Sequence, residues 1–306
     1  MPPPAGAPGK PDGPPGPAAG GREAAARVAR ALGYPYPRPA GSFLFRPGRP
    51  GHLGFPCGRW RGLAGLPALA AQLGAGLGAG ALAGCEAWTP VLAIGSNASP
   101  EQLERKFPAA EFGGKVVPCV KGRLRGFDVV FAPLISSYGS VTATLEVADP
   151  ATSVEVFVTF LEESLLERMH ATEGAYDLTL LDEVHLELGN GEVLGRIAQY
   201  NHQAGTLHVP GPSGGAPSAV GPVALAEIPA TGRTFPALGQ REMQELVHGF
   251  LGVDGEFGTP YLLENLDDAE ARKARVEALL AAARPFQYDK ATVQRTLGTV
   301  FDASVK

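Results

Sequence analysis

Val91-Leu92-Ala93-Ile94-Gly95-Ser96-Asn97-Ala98-Ser99-Pro100-Glu101-Gln102 is the stretch that decides the reading of this chain. Val91–Ile94 is a short apolar run and Gly95-Ser96-Asn97 are turn residues. Ser99-Pro100-Glu101-Gln102 then opens a helix with Ser at N-cap, Pro at the first helical position and Gln at the third. The pattern predicts strand, tight loop, helix. At such a junction Gly95 lets a ligand approach the backbone closely, while successive N–H groups and the helix N-terminus favour an anionic oxygen. Asn97 can donate and accept beside it. The same residues also suit an Asx-type turn whose polar side chains satisfy only the backbone.

Downstream the apolar pattern alternates as strands do. Strand-like runs occupy Lys115–Val120, Phe127–Phe131, Val141–Val147 and Val154–Leu161, separated by Gly, Pro and Asp signals. Glu162–Ala171 reads as one short helix, stopped near Gly174. Leu180–Leu188, the turn Gly189-Asn190-Gly191 and Val193–Tyr200 make a hairpin. Two helical patterns are expected between Pro222 and Leu251, and a single charged, Ala-rich helix over Glu264–Ala283. Many short strands with few helices predict an α+β fold around a small closed or strongly curved sheet.

Glu173 follows the apolar residues Leu165, Leu166 and Met169 and precedes Gly174. The helix dipole opposes a carboxylate at a C-terminus, so something other than helix stability is expected to place it. Held among apolar groups, a carboxyl has a raised pKa and can take and return a proton near neutrality. A solvated glutamate that merely ends a helix is the plainer alternative. Other chemistries find little in the chain. His170 lies three residues before Glu173, but His202 and His208 fall in a loop-like stretch, and no His/Asp/Glu set has metal-ligand spacing. No serine has the G-x-S-x-G setting of a nucleophile elbow, and the G-x-G near Gly189 precedes no helix.

Upstream of residue 90 the character changes. The 306 residues include 41 glycines and 29 prolines, and half of these lie in 1–90. That stretch also holds nine Lys/Arg against three Asp/Glu, before a body that is acidic. Residues 1–20, almost all Pro, Gly and Ala, are expected to lack ordered structure. Gly21–Leu32 is expected as a short helix ended by Gly33 and Pro35, followed by scattered aromatics including Tyr34, Tyr36, Phe43 and Phe45. The expected organisation is a Pro/Gly-rich, partly disordered basic extension over 1–87, a folded domain over 88–251 and a helical extension over 252–306. Basic residues this dispersed do not suggest nucleic-acid binding. No window reads as a membrane span and no secretory signal is recognisable at Met1. Cys57, Cys85 and Cys119, an odd set without a C-x-x-C pair, suit a reducing cytoplasm.

Taken in order, Val91-Leu92-Ala93-Ile94-Gly95-Ser96-Asn97 before a capped helix, Ala143-Thr144-Leu145 leading into Val154–Leu161, Glu173-Gly174 after Leu166, the hairpin, and Pro217-Ser218 resemble the gamma-glutamylcyclotransferase-like family over roughly 88–251. The resemblance implies a small mixed β-barrel with flanking helices, no cofactor and no metal. It also implies a γ-glutamyl compound held by Ile94, Gly95, Ser96, Asn97 and Tyr176, with Glu173 as the acid/base. The implied reaction is attack of the substrate's own α-amino group on its γ-carbonyl, giving 5-oxoproline and a free amine or amino acid. This chain departs from the family pattern at Ile94 and His170, where the family has an aromatic and an Asp. It departs again at Leu180 and Gly221, where the family has tyrosines; Tyr176 stands near the first. A non-catalytic binding module on the same fold is the alternative from another class.

Overall fold

The computed structural model describes residues 17–49, 51–55, 65–72, 80, 82–210 and 220–296. They form a mixed α+β structure. The strands that matter most are β3 (Thr89–Ala93), β4 (Val117–Arg125), β5 (Phe127–Ile135), β6 (Val141–Val147), β7 (Ser153–Leu161), β8 (Tyr176–Leu188) and β9 (Val193–His202). Around them lie the short strands β1 (Phe43–Phe45), β2 (Leu53–Gly54), β10 (Thr206–Pro210), β11 (Val220–Pro222), β12 (Ala224–Leu225), β13 (Ala230–Thr231), β14 (Ala237–Leu238), β15 (Ala283–Arg284) and β16 (Ala291–Thr296). The helices are α1 (Pro17–Leu32), α2 (Leu66–Gln72), α3 (Pro100–Lys106), α4 (Ala109–Phe112), α5 (Glu163–His170), α6 (Gln240–Phe250), α7 (Thr259–Asp267) and α8 (Ala269–Ala281).

The largest sheet pairs β7 with β3, β3 with β9, β9 with β8, β8 with β4, and β4 again with β7, so these five strands form a closed circuit of hydrogen bonding. Only β3 and β9 run parallel within it. β3 and β7 are covered on both faces over most of their length and read as largely apolar runs, while β8 alternates buried and exposed residues. On β7, Val154, Val156, Val158 and Phe160 point into one apolar cluster, while Phe157 and Leu161 point into a second with Phe43, Leu103, Leu165 and Met169. The period-two alternation thus sorts one strand's side chains between two cores. Gly122 lets β4 lie close to β8: a Cβ there would come within 2.8 Å of the Glu187 carbonyl oxygen. A second sheet, in the order β14-β12-β5-β6, places the wholly buried β5 under α8.

The flanking segments join this core. β1 extends the edge of β4, and β16 pairs with β8. The expected disorder of 1–20 lies, for 1–16, outside the described residues; Pro17–Gly20 form the start of α1. Ala18 and Ala19 are strong helix formers and proline is tolerated in a first turn. Three expectations about the C-terminal half are corrected. Between Pro222 and Leu251 there is one helix, α6, preceded by short strands that add to existing edges. The helix expected over Glu264–Ala283 is broken at Asp268, whose carboxylate leaves the helical ladder to accept the N–H groups of Glu270 and Ala271 as the N-cap of α8. The segment expected to be helical over 252–306 also contains strands, because β16, with Thr292, Val293 and Thr296, completes the exposed edge of β8. His202 and His208, expected in a loop, end β9 and lie in β10.

Candidate functional site

β3 ends at Ala93, and the chain turns through Gly95 into a single 3-10 turn over Ser96–Ala98 before α3 begins at Pro100. The turn is closed by the N–H of Ala98 on the Gly95 carbonyl, 3.2 Å, and of Ser99 on the Ser96 carbonyl, 2.8 Å. The N–H groups of Ser96 and Asn97, first in the turn, are left without a partner inside it. Ser99 stands at the N-cap as expected, but its side chain makes no cap bond: the Ser99 hydroxyl and the Gln102 side-chain oxygen Oε1 are both buried without partners. The expected Ser/Gln pairing is therefore not made, and backbone bonds from Gln102 and Leu103 to the Ser99 carbonyl start the helix instead.

α5 is anchored by Leu165 and Met169 in the smaller apolar cluster. Beyond its C-terminus the chain tightens, with Glu173 N–H on the His170 carbonyl and Tyr176 N–H on the Glu173 carbonyl. This bend carries Glu173 back toward the loop after β3. Asn97 Nδ2 donates to Glu173 Oε1 at 2.9 Å, and Lys106 Nζ, from the last residue of α3, forms an ion pair with the same oxygen. Glu173 and Lys106 are only 9% and 6% exposed. The expectation of a carboxyl among apolar groups is thus corrected: its nearest neighbours are an ammonium and an amide, because a charge this buried requires a partner. Both donors use Oε1, so neither occupies Oε2, and Glu173 lines a cavity.

That cavity has a volume of about 590 Å³ and is lined by Ile94, Gly95, Ser96, Asn97, Glu173 and Tyr176 together. The six residues singled out in the sequence meet in one place. Tyr176 donates its hydroxyl to Thr142 Oγ1 at 2.8 Å and lies 3.1 Å from the Ala143 carbonyl, and burial pushes its phenol well up from the ordinary range. His170 does not line the cavity; its Nδ1 is 2.9 Å from the Tyr200 hydroxyl, and burial followed by the Arg295 charge lowers its pKa. Leu180 and Gly221 sit on β8 and β11 away from the cavity, and Pro217-Ser218 lies outside the described residues. Among the described residues no three His, Cys, Asp or Glu side chains converge as a metal site would need.

Sequence reasoning missed several walls. Tyr34, just past α1, is 4% exposed and accepts the Ala143 N–H at 3.0 Å, so that two tyrosines from distant parts of the chain hold the N–H and C=O of one β6 residue. A Cβ on residue 95 would overlap the Tyr34 hydroxyl, which is why glycine stands there. Tyr138, Arg30 and Arg168 also line the cavity. In the sequence Tyr34 is one of several aromatics in a Pro/Gly-rich stretch. Lys106 reads locally as an ordinary base at a helix C-terminus.

No helix among the described residues is long and apolar enough to cross a membrane. No family model matches the chain, and no curated protein does. Among solved structures it is similar to one named gamma-glutamyl cyclotransferase, with 16% sequence identity over 68% of this chain and 95% of that one and a TM-score of 0.29.

Proposed function

We propose that this chain is a gamma-glutamylcyclotransferase-type enzyme that needs no cofactor. The observation that carries the reading is the Asn97–Glu173 hydrogen bond, which joins the turn after β3 to a buried carboxylate at the wall of a cavity of ligand size. In the proposed reaction the α-amino nitrogen of a γ-glutamyl amide attacks its own γ-carbonyl carbon. A new C–N bond closes the five-membered lactam as the bond to the leaving nitrogen breaks, and the products are 5-oxoproline and an amine or amino acid. Glu173 takes the proton released by the attacking nitrogen on Oε2 and returns it to the leaving nitrogen, so no water is consumed. Asn97 and Lys106 hold Oε1 and thereby fix the carboxylate's orientation. The N–H groups of Ser96 and Asn97 are placed to receive the oxygen on which negative charge develops. Gly95, Ile94, Tyr34 and Tyr176 shape the wall against which the substrate folds for ring closure.

On the same reading, the circuit of β3, β9, β8, β4 and β7 is the small barrel of that family, and 88–251 is the catalytic domain to which the described parts of 1–87 and 252–306 add walls and edges. Cys85 and Cys119 are buried and not joined in a disulfide, in keeping with a cytoplasmic setting. One observation favours the rival, a binding module: Lys106 already neutralises the carboxylate that would act as base. The test is incubation with a panel of γ-glutamyl amino acids and γ-glutamylamines. The expected products are 5-oxoproline and free amine in equal amounts. Glutamate as the sole product makes water the attacking group and refutes cyclisation, while binding without turnover at any pH selects the module.

A further inference from the structure

Tyr34 carries a hydrogen-bond donor that the protein does not use. Its phenol is 4% exposed, and its oxygen accepts the Ala143 N–H at 3.0 Å. That bond occupies a lone pair and leaves the hydroxyl hydrogen over, and among the described residues no acceptor meets it. A buried donor without an acceptor forgoes a bond that water supplies in the unfolded chain. Tyr176, the other tyrosine on Ala143, differs in this respect, since it donates its own hydrogen to Thr142 Oγ1 at 2.8 Å.

The place of the unused donor is fixed from several sides. Tyr34 follows α1, which is bound to the body by the Ser140 hydroxyl on the Ala31 carbonyl at 2.7 Å and by Arg27 on Asp267 of α7 at 2.5 Å. The Tyr36 ring packs edge-on against the Tyr34 ring, with centroids 6.0 Å apart. In front lies Gly95: a Cβ there would sit 2.3 Å from the Tyr34 oxygen, so the hydroxyl stands directly against the backbone of the turn. Tyr34, Gly95, Ser96 and Asn97 line the same cavity. Burial, and after it the neighbouring Tyr176 and Tyr138 phenols, holds the Tyr34 pKa well above the ordinary range, so the hydrogen stays on the oxygen.

The turn supplies two further donors, the N–H groups of Ser96 and Asn97, and the proposed reaction gives them the oxygen of the γ-carbonyl. In a substrate folded for ring closure the α-carbon and the γ-carbonyl carbon come to flank one nitrogen, which brings the α-carboxylate next to that oxygen. A third donor, one residue ahead of Ser96, is placed for it. An O–H that donates to a carboxylate makes one of the stronger hydrogen bonds, because the acceptor is ionised.

We propose that Tyr34 is a substrate-binding residue that donates its hydroxyl to the α-carboxylate of the γ-glutamyl group, so that a segment outside 88–251 completes the site. The identity of the ligand rests on the proposed cyclisation; the unused donor beside Gly95 does not.

The test uses two substrates that differ only in that carboxylate. γ-Glutamylethylamine cyclises to 5-oxoproline. 4-Aminobutanoyl-ethylamine, which lacks the carboxylate, cyclises to 2-pyrrolidinone by the same attack, and both release ethylamine. The full chain should favour the first by at least tenfold in kcat/KM. Tyr34→Phe should cut that preference to threefold or less, lowering kcat/KM for γ-glutamylethylamine and leaving that for 4-aminobutanoyl-ethylamine within twofold. A role confined to holding the Ala143 N–H would lower both substrates alike. Tyr34→O-methyltyrosine keeps an oxygen for Ala143 but lacks the hydrogen, so it should show the same loss, and it serves where Tyr34→Phe does not fold. Parity of the two substrates in the parent, equal losses in the variants, or a preference that survives removal of the hydrogen overturns the inference. Where the parent cyclises neither substrate the cyclisation falls, and calorimetric titration of N-glutaryl-ethylamine and N-butanoyl-ethylamine, the same pair without the amine, decides Tyr34 alone. A tenfold preference for the first that both variants lose keeps the carboxylate site; equal binding, or none, overturns it.

Discussion

Glu173→Gln should destabilise the protein as well as silence it, because the residue it disturbs is Lys106. Lys106 is 6% exposed, and besides Glu173 its ammonium meets the Met169 sulfur at 3.4 Å. Replacing the carboxylate by an amide of nearly the same shape leaves that charge buried and uncompensated. Breaking one side of a buried pair costs about 3–5 kcal/mol, whereas removing both sides is often close to neutral. At about 2 °C per kcal/mol for a chain of this size, Glu173→Gln should lower Tm by roughly 6–10 °C. Lys106→Met/Glu173→Gln should recover most of the loss, to within about 2 kcal/mol of the parent. Urea titration of the parent, the two single variants and the double variant completes the cycle, and a coupling energy of at least about 2 kcal/mol is expected. Additive effects, or a Glu173→Gln protein as stable as the parent, would refute the view that this pair is shielded from water. The double variant should stay inactive, since the proton acceptor is gone.

Asn97→Ala removes the amide from Glu173 Oε1 but leaves Lys106 in place, so 5-oxoproline formation should fall about 10- to 100-fold with Tm little changed; turnover equal to the parent's would make the loop a turn and nothing more. Gly95→Ala should push the Tyr34 hydroxyl off the Ala143 N–H and destabilise by about 1–3 kcal/mol, which the double variant with Tyr34→Phe should not exceed. Burial holds the His202 imidazole down to about 4, against about 6.5 in the unfolded chain. Between those values the unfolded chain binds a proton that the native chain does not, so stability is complete above pH 6.5 and falls as acid is added, by up to about 3 kcal/mol at pH 4. Denaturant titrations of the parent and His202→Gln across pH 4–7 check this, and identical pH slopes would count against it.

What the sequence by itself determined was local. The period of two over Val141–Val147 and Val154–Leu161 marks β6 and β7 to within a residue, and the Leu-Leu-x-x-Met spacing marks α5, since each pattern depends only on which face of its own element is apolar. The turn after Ile94 and the glutamate before Gly174 were legible for the same reason: residue types with narrow conformational or chemical uses announce themselves where they stand. Locality also explains the failures. Glu264–Ala283 carries helix-forming residues throughout, and nothing within it says that Asp268 will cap one helix and end another. Only the tertiary structure decided that β4 would close the circuit on β7, that Tyr34 from a Pro/Gly-rich stretch would stand over Gly95, and that Lys106 would cross 67 positions of chain to meet Glu173. Buried charges and unfilled space are satisfied by whatever lies nearest in three dimensions, and along the chain those partners carry no mark.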